Sequence, residues 1–514
     1  MNFIYHGSVT KEVEIKNKED FYPTVAKLIV DEESGKRLVV TAETADGSVS
    51  YRVGVRSGTQ TIFEESNSMP DSYLSDLHPA YLTCVEPDVA KYLQGLKKSG
   101  KDVTPAEFYS EISSRCKNSY KQYKLIPEGN KVTAYYGRMA VGAGRIFGER
   151  SVEYPLSSFW TKYFEKIGKG YVDRTRLYMP EVFGKTSPDV GSKGEEIPER
   201  KQAPREKASF ADRLFDKLKQ FAKKAVRDAQ VKVPVTPEII QAAKADLDEM
   251  RNAAGNKDAA GFNLALLDII SILQRPVATG DGTGVKRLLA ADSGDFARII
   301  SRESDLLQAM EGSVMGNRPS DKNGAFEEIG IEVYKANQKQ QKQVLKHLSP
   351  DLHGKVKNIY RVIPKAQKKR FDAYLKEREI SNVRLLWHGS RNENWLSIIR
   401  NSLVLNPDAI ITGKMFGQGI YFAPSSSKSW NYTSFIGTSW ANGTSNTAFM
   451  GLYAVAYGKP YDVDTWDPYI DYRTETRNGF DCLHAHAGAS LRNDEIVFYD
   501  EAAVLLDYVV EFGV

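Results

Sequence analysis

LLWHGSR, Leu385 to Arg391, decides how this chain is read, together with GKMFGQGIYFA, Gly413 to Ala423. Leu385, Leu386 and Trp387 close an apolar run of strand type, and His388, Gly389 and Ser390 then place an imidazole, a bare backbone and a hydroxyl at its edge. Glycine lets backbone N–H and C=O approach a flat ligand closely, and the flanking side chains supply hydrogen bonds from either side. The pattern predicts a ligand site at a strand end. Downstream stand Lys428, Ser429 and Tyr432 in SKSWNY, and a carboxylate, Glu495, that opens the apolar strand EIVFY.

These ordered blocks resemble the catalytic domain of the poly(ADP-ribose) polymerases, from roughly Val356 to the C-terminus. The resemblance implies cleavage of the nicotinamide–ribose bond of NAD+, used as a substrate, and transfer of ADP-ribose to protein acceptors, the chain itself among them. It places the family's triad at His388, Tyr421 and Glu495. It further implies that Gly389 and Ser429 hold the carboxamide, that Tyr421 and Tyr432 sandwich the ring, that His388 and Ser390 bond ribose hydroxyls, and that Lys428 lies beside Glu495. A glutamate at this place accompanies chain elongation in the family, so polymer is expected. Single-unit transfer, NAD+ hydrolysis and an inactive DNA-end-binding scaffold are the alternatives. Taken singly, each of these residues also suits a core or strand-end role; their order and spacing carry the functional reading. In NPDAII, just after Leu405, the likeness is loose, which leaves the adenosine side open.

Composition sets the frame. With 514 residues, 41% hydrophobic and 26% charged, the chain suits about three or four soluble globular domains. Cys84, Cys116 and Cys482 are too few and too scattered for a disulfide framework or a zinc finger, so a reducing, intracellular setting is expected. There is no basic segment followed by an apolar core at the start, and no run of the ~18 apolar residues a membrane span needs. A net charge of +4 does not by itself argue for a polyanion partner.

The expected fold class is multidomain α+β. Residues 1–116 read as an α+β module: strand alternation in KLIVDE, RLVVTAE and YRVGVR, then helical periodicity at Val89–Leu96 and from Thr104 through Ile112. Residues 117–182 are different in kind. YKQYKLIP, KVTAYYGRMA, a glycine-rich turn and the helix SFWTKYFEKIG resemble the WGR domain, with Tyr136, Gly137 and Arg138 in place of its Trp-Gly-Arg motif. The resemblance implies binding of DNA ends or nicks, with Tyr136 against sugar and Arg138 on phosphate, roles that suit backbone recognition. The competing reading makes the aromatics core and the charges a solvated face. VGAGRIFGE, Val141 to Glu149, carries glycines at a dinucleotide-like spacing but lacks the following helix, and reads as a hairpin loop.

Residues 183–208 are polar, charged and proline-bearing, a linker. Residues 209–322 predict an all-α bundle. Ser209 caps a helix with Phe210, Leu214, Leu218, Phe221 and Ala225 on one stripe, which predicts packing on a neighbouring domain. Thr236 and Pro237 start the next helix, and TGDGTGVK joins two later ones. LLAADSGDFARIISRESDLLQAM loosely resembles the helical regulatory subdomain of DNA-dependent family members, which implies that bound DNA would loosen the bundle and open the NAD+ site. Residues 323–514 are the transferase-like domain, with mainly antiparallel mixed sheets and GLYAVAYG and EIVFYD expected as a pair. In DCLHAHAG, residues Cys482, His484 and His486 alternate on one strand. Ligands from a single strand lie too far apart to surround an ion unaided, so no metal is expected.

Overall fold

The computed structural model describes residues 78–514, except 102, 118, 140–145, 168, 180–208, 232, 276–287, 316–323 and 406–414, and the backbone of five earlier strands. The expected strand KLIVDE, the linker, TGDGTGVK and NPDAII lie outside the described residues. Two compact units result, Met1–Glu196 with Asn263–Ala291, and Ile197–Phe262 with Asp292–Val514.

In the first unit, β1 (Asn2–His6) pairs with β2 (Thr10–Glu14), and β3 (Lys36–Ala45), β4 (Ser48–Ser57) and β5 (Gln60–Pro70) form an antiparallel meander. A second sheet has the order β10-β6-β7-β8-β9. Its first strand in sequence, β6 (Ala80–Val85), leads into helices α1 (Pro87–Ser99) and α2 (Pro105–Arg115). Thr104 caps α2 in a reciprocal box with Glu107. Then follow β7 (Tyr120–Glu128), β8 (Lys131–Met139), β9 (Ile146–Pro155), α3 (Phe159–Ile167) and β10 (Val172–Asp173). Strands β8 and β9 pair antiparallel from Met139↔Ile146 outward, the hairpin arrangement read from the glycine-rich stretch between them.

The boundary expected at 116/117 does not coincide with this sheet, because β6 pairs with β7 from Ala80↔Leu125 to Val85↔Tyr120. All six residues of AYLTCV are buried, so β6 has no alternation to announce it.

The second unit begins with α4 (Phe210–Asp228), capped by Ser209 and Asp212. It continues with α5 (Pro237–Gly255), the start of α6 (Ala259–Ile272) and α7 (Phe296–Val314). Leu214, Phe215 and Leu218 of α4 enter the same core as Phe326, Tyr360 and Phe449 of the C-terminal sheet, and Phe210 stacks on Tyr360 at 4.6 Å. The apolar stripe thus packs as expected, although Phe215 and Ala222 are buried in it while Ala225 is only half-buried.

After β11 (Ile331–Lys335) and α8 (Gln338–His347), strands β12 (Val356–Pro364), β13 (Val383–Gly389), β15 (Thr447–Ala456) and β19 (Val504–Gly513) complete a sheet of order β11-β12-β19-β15-β13, antiparallel throughout. A second sheet, β14-β18-β17-β16, contains β14 (Ile420–Phe422), β16 (Pro460–Val463), β17 (Cys482–Ala485) and β18 (Glu495–Phe498). GLYAVAYG and EIVFYD are therefore not partners: the first lies in β15 between β13 and β19, the second in β18 between β14 and β17. Both are nearly all buried and apolar, and such strands carry no signal of which neighbour they take. The two sheets are joined where Trp387 and Ala423 exchange backbone hydrogen bonds of 3.0 and 3.1 Å.

Candidate active site

That junction sets the site. Trp387 is fully buried, and its indole N–H donates to the His347 carbonyl at 2.7 Å, so the end of β13 is clamped from below. His388, the next residue, turns to the other face. Its Nδ1–H donates to the carbonyl of Tyr421 at 3.1 Å, which assigns the lone pair to Nε2. Phe422 and Tyr453 stand edge-on to the imidazole at 5.8 and 6.1 Å between centroids.

Gly389 meets the backbone of a short helix, Ser426–Trp430, so closely that a Cβ would lie 1.9 Å from the Ser429 carbonyl oxygen. Only glycine fits. Ser429 is buried and donates its hydroxyl to the Trp387 carbonyl at 3.0 Å, which fixes this helix against β13. Tyr421 donates to the Gly417 carbonyl at 2.8 Å and accepts from Phe416 N–H at 3.2 Å. Burial pushes its phenol well above the usual range, so it acts as a neutral hydrogen-bonding ring. Tyr432 remains 45% exposed, with Trp440 near-parallel to it at 6.5 Å.

Glu495 opens β18 opposite Ala485. Lys428 Nζ lies 2.6 Å from Glu495 Oε1, and both side chains are largely buried, at 15% and 17% exposure. The same ammonium reaches the carbonyls of Asn493 and Asp494 at 3.3 and 3.4 Å, so it ties the carboxylate and the turn before it together.

His388, Gly389, Ser390, Tyr421, Lys428, Ser429, Tyr432 and Glu495 all line one cavity of about 810 Å³, a size suited to a nucleotide-sized ligand. The expected transferase residues thus come together, although they derive from separate parts of the chain. Tyr136 and Arg138 lie in the first unit, on β8: Arg138 is exposed, and Tyr136 is half-buried and stacked 6.1 Å from Tyr123.

One wall comes from residues not anticipated as part of the site. Asp305 and Glu311 of α7, with Lys244 and Arg251 of α5, face the cavity from the helical side. Asp305 accepts from the Asn394 amide at 2.7 Å and lies 3.4 Å from Arg391 Nε, while Glu311 accepts from Ser397 at 2.7 Å and pairs with Lys244. Burial raises the Asp305 carboxyl to about 6, against the opposing pull of Asn394 and Arg391. The one available signal was Asp305 standing inside the otherwise amphipathic run FARIISRESDLLQAM.

The family model of the poly(ADP-ribose) polymerase catalytic domain matches residues 334–487. Among curated proteins, poly(ADP-ribose) polymerase 1 of Gallus gallus is 24% identical over 347 residues, 61% of this chain and 34% of the relative. A putative poly(ADP-ribose) polymerase-like protein of invertebrate iridescent virus 6 is 28% identical over 30% of this chain and 83% of its own length. Poly(ADP-ribose) polymerase 2 of Homo sapiens is 46% identical over 82 residues, 16% of this chain and 13% of the relative. The chain therefore spans about a third of the length of the chicken relative. Among the described residues, no helix is long and apolar enough to cross a membrane.

Proposed function

We propose that this chain, which belongs to the poly(ADP-ribose) polymerase family through its C-terminal domain, cleaves the nicotinamide–ribose bond of NAD+ and transfers ADP-ribose to protein acceptors, itself included. The observation that carries this reading is the convergence of His388, Tyr421 and Glu495 on one cavity, with Lys428 2.6 Å from the glutamate.

The chemistry follows from charge. Nicotinamide is cationic in NAD+ and leaves neutral, so the leaving group needs holding rather than protonation. The Gly389 backbone and the Ser429 hydroxyl take the carboxamide, and Tyr421 and Tyr432 flank the ring, stacking being worth ~1 kcal/mol beyond burial. His388 Nε2 and Ser390 take ribose hydroxyls. Positive charge develops on the ribose as the bond to nicotinamide breaks, and the Glu495 carboxylate stabilises it, by the electrostatic logic that glycosidases also use. Lys428, 2.6 Å from its Oε1, holds that carboxylate in place. Glu495 can also orient the hydroxyl of a growing chain, which supports polymer as the product.

Incubation with labelled NAD+ and sizing of the products tests this. The parent chain yields long polymer, and Glu495→Gln yields residual single transfer; unchanged product lengths in the variant would contradict the assignment.

The helical wall formed by α5 and α7, and the exposed Arg138 on β8, favour control by DNA ends or nicks. In this reading the DNA-bound chain loosens the wall and admits NAD+, which accords with an intracellular, DNA-associated protein. Rates measured with and without nicked DNA decide it, and equal rates remove the regulatory reading while leaving the transferase untouched.

A further inference from the structure

We propose that Asp462, His484 and His486 form a binding site for a divalent transition-metal ion of the zinc class, a site separate from the NAD+ cavity. None of the three lines that cavity. Strands β16 and β17 run parallel, with Asp462 opposite His484 in register, and alternation puts His486 on the same face as His484. The two imidazoles stand 4.1 Å apart between centroids. A single strand could not surround an ion; the neighbouring strand contributes the third ligand that the sequence pattern lacks.

The distances suit such an ion. Zn2+ holds nitrogen and oxygen ligands at ~2.0–2.1 Å, so ligand atoms around a tetrahedral centre lie ~3.3–3.5 Å from one another. Asp462 Oδ1 is 2.8 Å from His486 Nε2 and 3.9 Å from His484 Nδ1, values on either side of that spacing; the first is an Nε2–H···O hydrogen bond in the metal-free chain, which an ion replaces as the imidazole proton moves to Nδ1. All three ligand atoms fall within 4.8 Å of one another. Asp462 is 58% exposed and His486 36%, which gives an ion a way in and leaves a fourth position to water.

A second observation orients the buried ligand. His484 Nε2 lies 3.1 Å from Asp494 Oδ2. A carboxylate only accepts, so Nε2 carries the hydrogen and Nδ1 presents the lone pair. Asp494 is itself fixed by the Ala487 backbone N–H at 2.8 Å. A carboxylate behind a histidine is how metal sites set the tautomer and raise ligand basicity. Two imidazoles and a carboxylate suit zinc, nickel or copper, whereas calcium and magnesium take all-oxygen sets. The Tyr457 hydroxyl, 2.7 Å from Nδ1, donates to the same lone pair and competes with the ion.

The test is titration of the metal-stripped full-length chain with Zn2+ against a chromophoric chelator, alongside thermal unfolding. The parent chain binds one more Zn2+ than His486→Ala or Asp462→Asn, and Zn2+ raises the melting temperature of the parent but not of these two variants. Tyr457→Phe, lacking the competing hydroxyl, binds at least as tightly as the parent. Equal stoichiometry and affinity, within about twofold, in parent, His486→Ala and Asp462→Asn would overturn the proposal, since the metal would then be held by other side chains. So would a Tyr457→Phe chain that alone loses Zn2+.

Discussion

Gly389→Ala should disable the site without unfolding the chain. The added Cβ would lie 1.9 Å from the Ser429 carbonyl oxygen and 2.8 Å from its carbonyl carbon. Ordinary contact begins near 3.4 Å, so one backbone must retreat by about 1.5 Å. Neither is free to do so at no cost: β13 is held in register with β15 from Val383↔Ala456 to Gly389↔Met450, and the helix that bears Ser429 is tied to β13 by its hydroxyl bond. Overpacking of this kind costs ~1–3 kcal/mol. For a unit of this size that lowers the melting temperature by about 2–4 °C per kcal/mol. The catalytic consequence is larger, because a displacement of ~1 Å in reacting geometry costs ~100-fold in rate. Nicotinamide release from NAD+ and thermal unfolding, measured on the same preparation, separate the two effects. Gly389→Ala combined with Ser429→Ala should be no better than Gly389→Ala, since the clash is with main chain. A Gly389→Ala protein within about threefold of parental turnover would refute this account of the site.

Lys428→Met should lower kcat by about tenfold or more with a smaller change in KM, because the Glu495 carboxylate loses its partner where charge develops; an unchanged kcat would dismiss the lysine's role. Asp305→Asn should alter how stability depends on pH. The parent carboxyl is raised to about 6, so its contribution is complete below the unfolded value near 4 and is lost as pH rises through about 6. The variant should therefore gain on the parent by at most ~3 kcal/mol across that window, and parallel urea profiles at the two ends would exclude the effect. Leu218→Ala empties a fully buried position between α4 and the sheet core and should cost ~2–5 kcal/mol in denaturant titration, whereas a neutral result would mean that α4 contributes little to that core.

The site was more legible in the sequence than the folds around it. His388, Gly389 and Ser390 stand where an apolar strand stops, whereas Tyr421 and Glu495, which singly also suit core and strand-end roles, were assigned by the family resemblance of the ordered blocks that carry them. The caps at Ser209 and Thr236 were legible in local pattern, each being a contact within a few residues. Long-range choices were not. β6 has no alternation and takes a partner across two helices, and β15 and β18 could have paired by composition yet lie in different sheets. Asp305 gave little notice because its partners, Arg391 and Asn394, come from a distant loop. The same limit hid the approach of Asp462 to His484, which depends on a parallel pairing between strands separated by a helix and its loops.

The two hydrogen bonds between Trp387 and Ala423 act as a rivet through both sheets. His388 follows one of these residues and Tyr421 precedes the other by two, so the transferase groups are set from a single mechanical point rather than from two independent scaffolds. Any opening of one sheet against the other would part the imidazole from the Tyr421 carbonyl in the same event. The amides of Trp387 and Ala423 should consequently exchange with deuterium together, at one rate, and a bound nicotinamide would slow both alike.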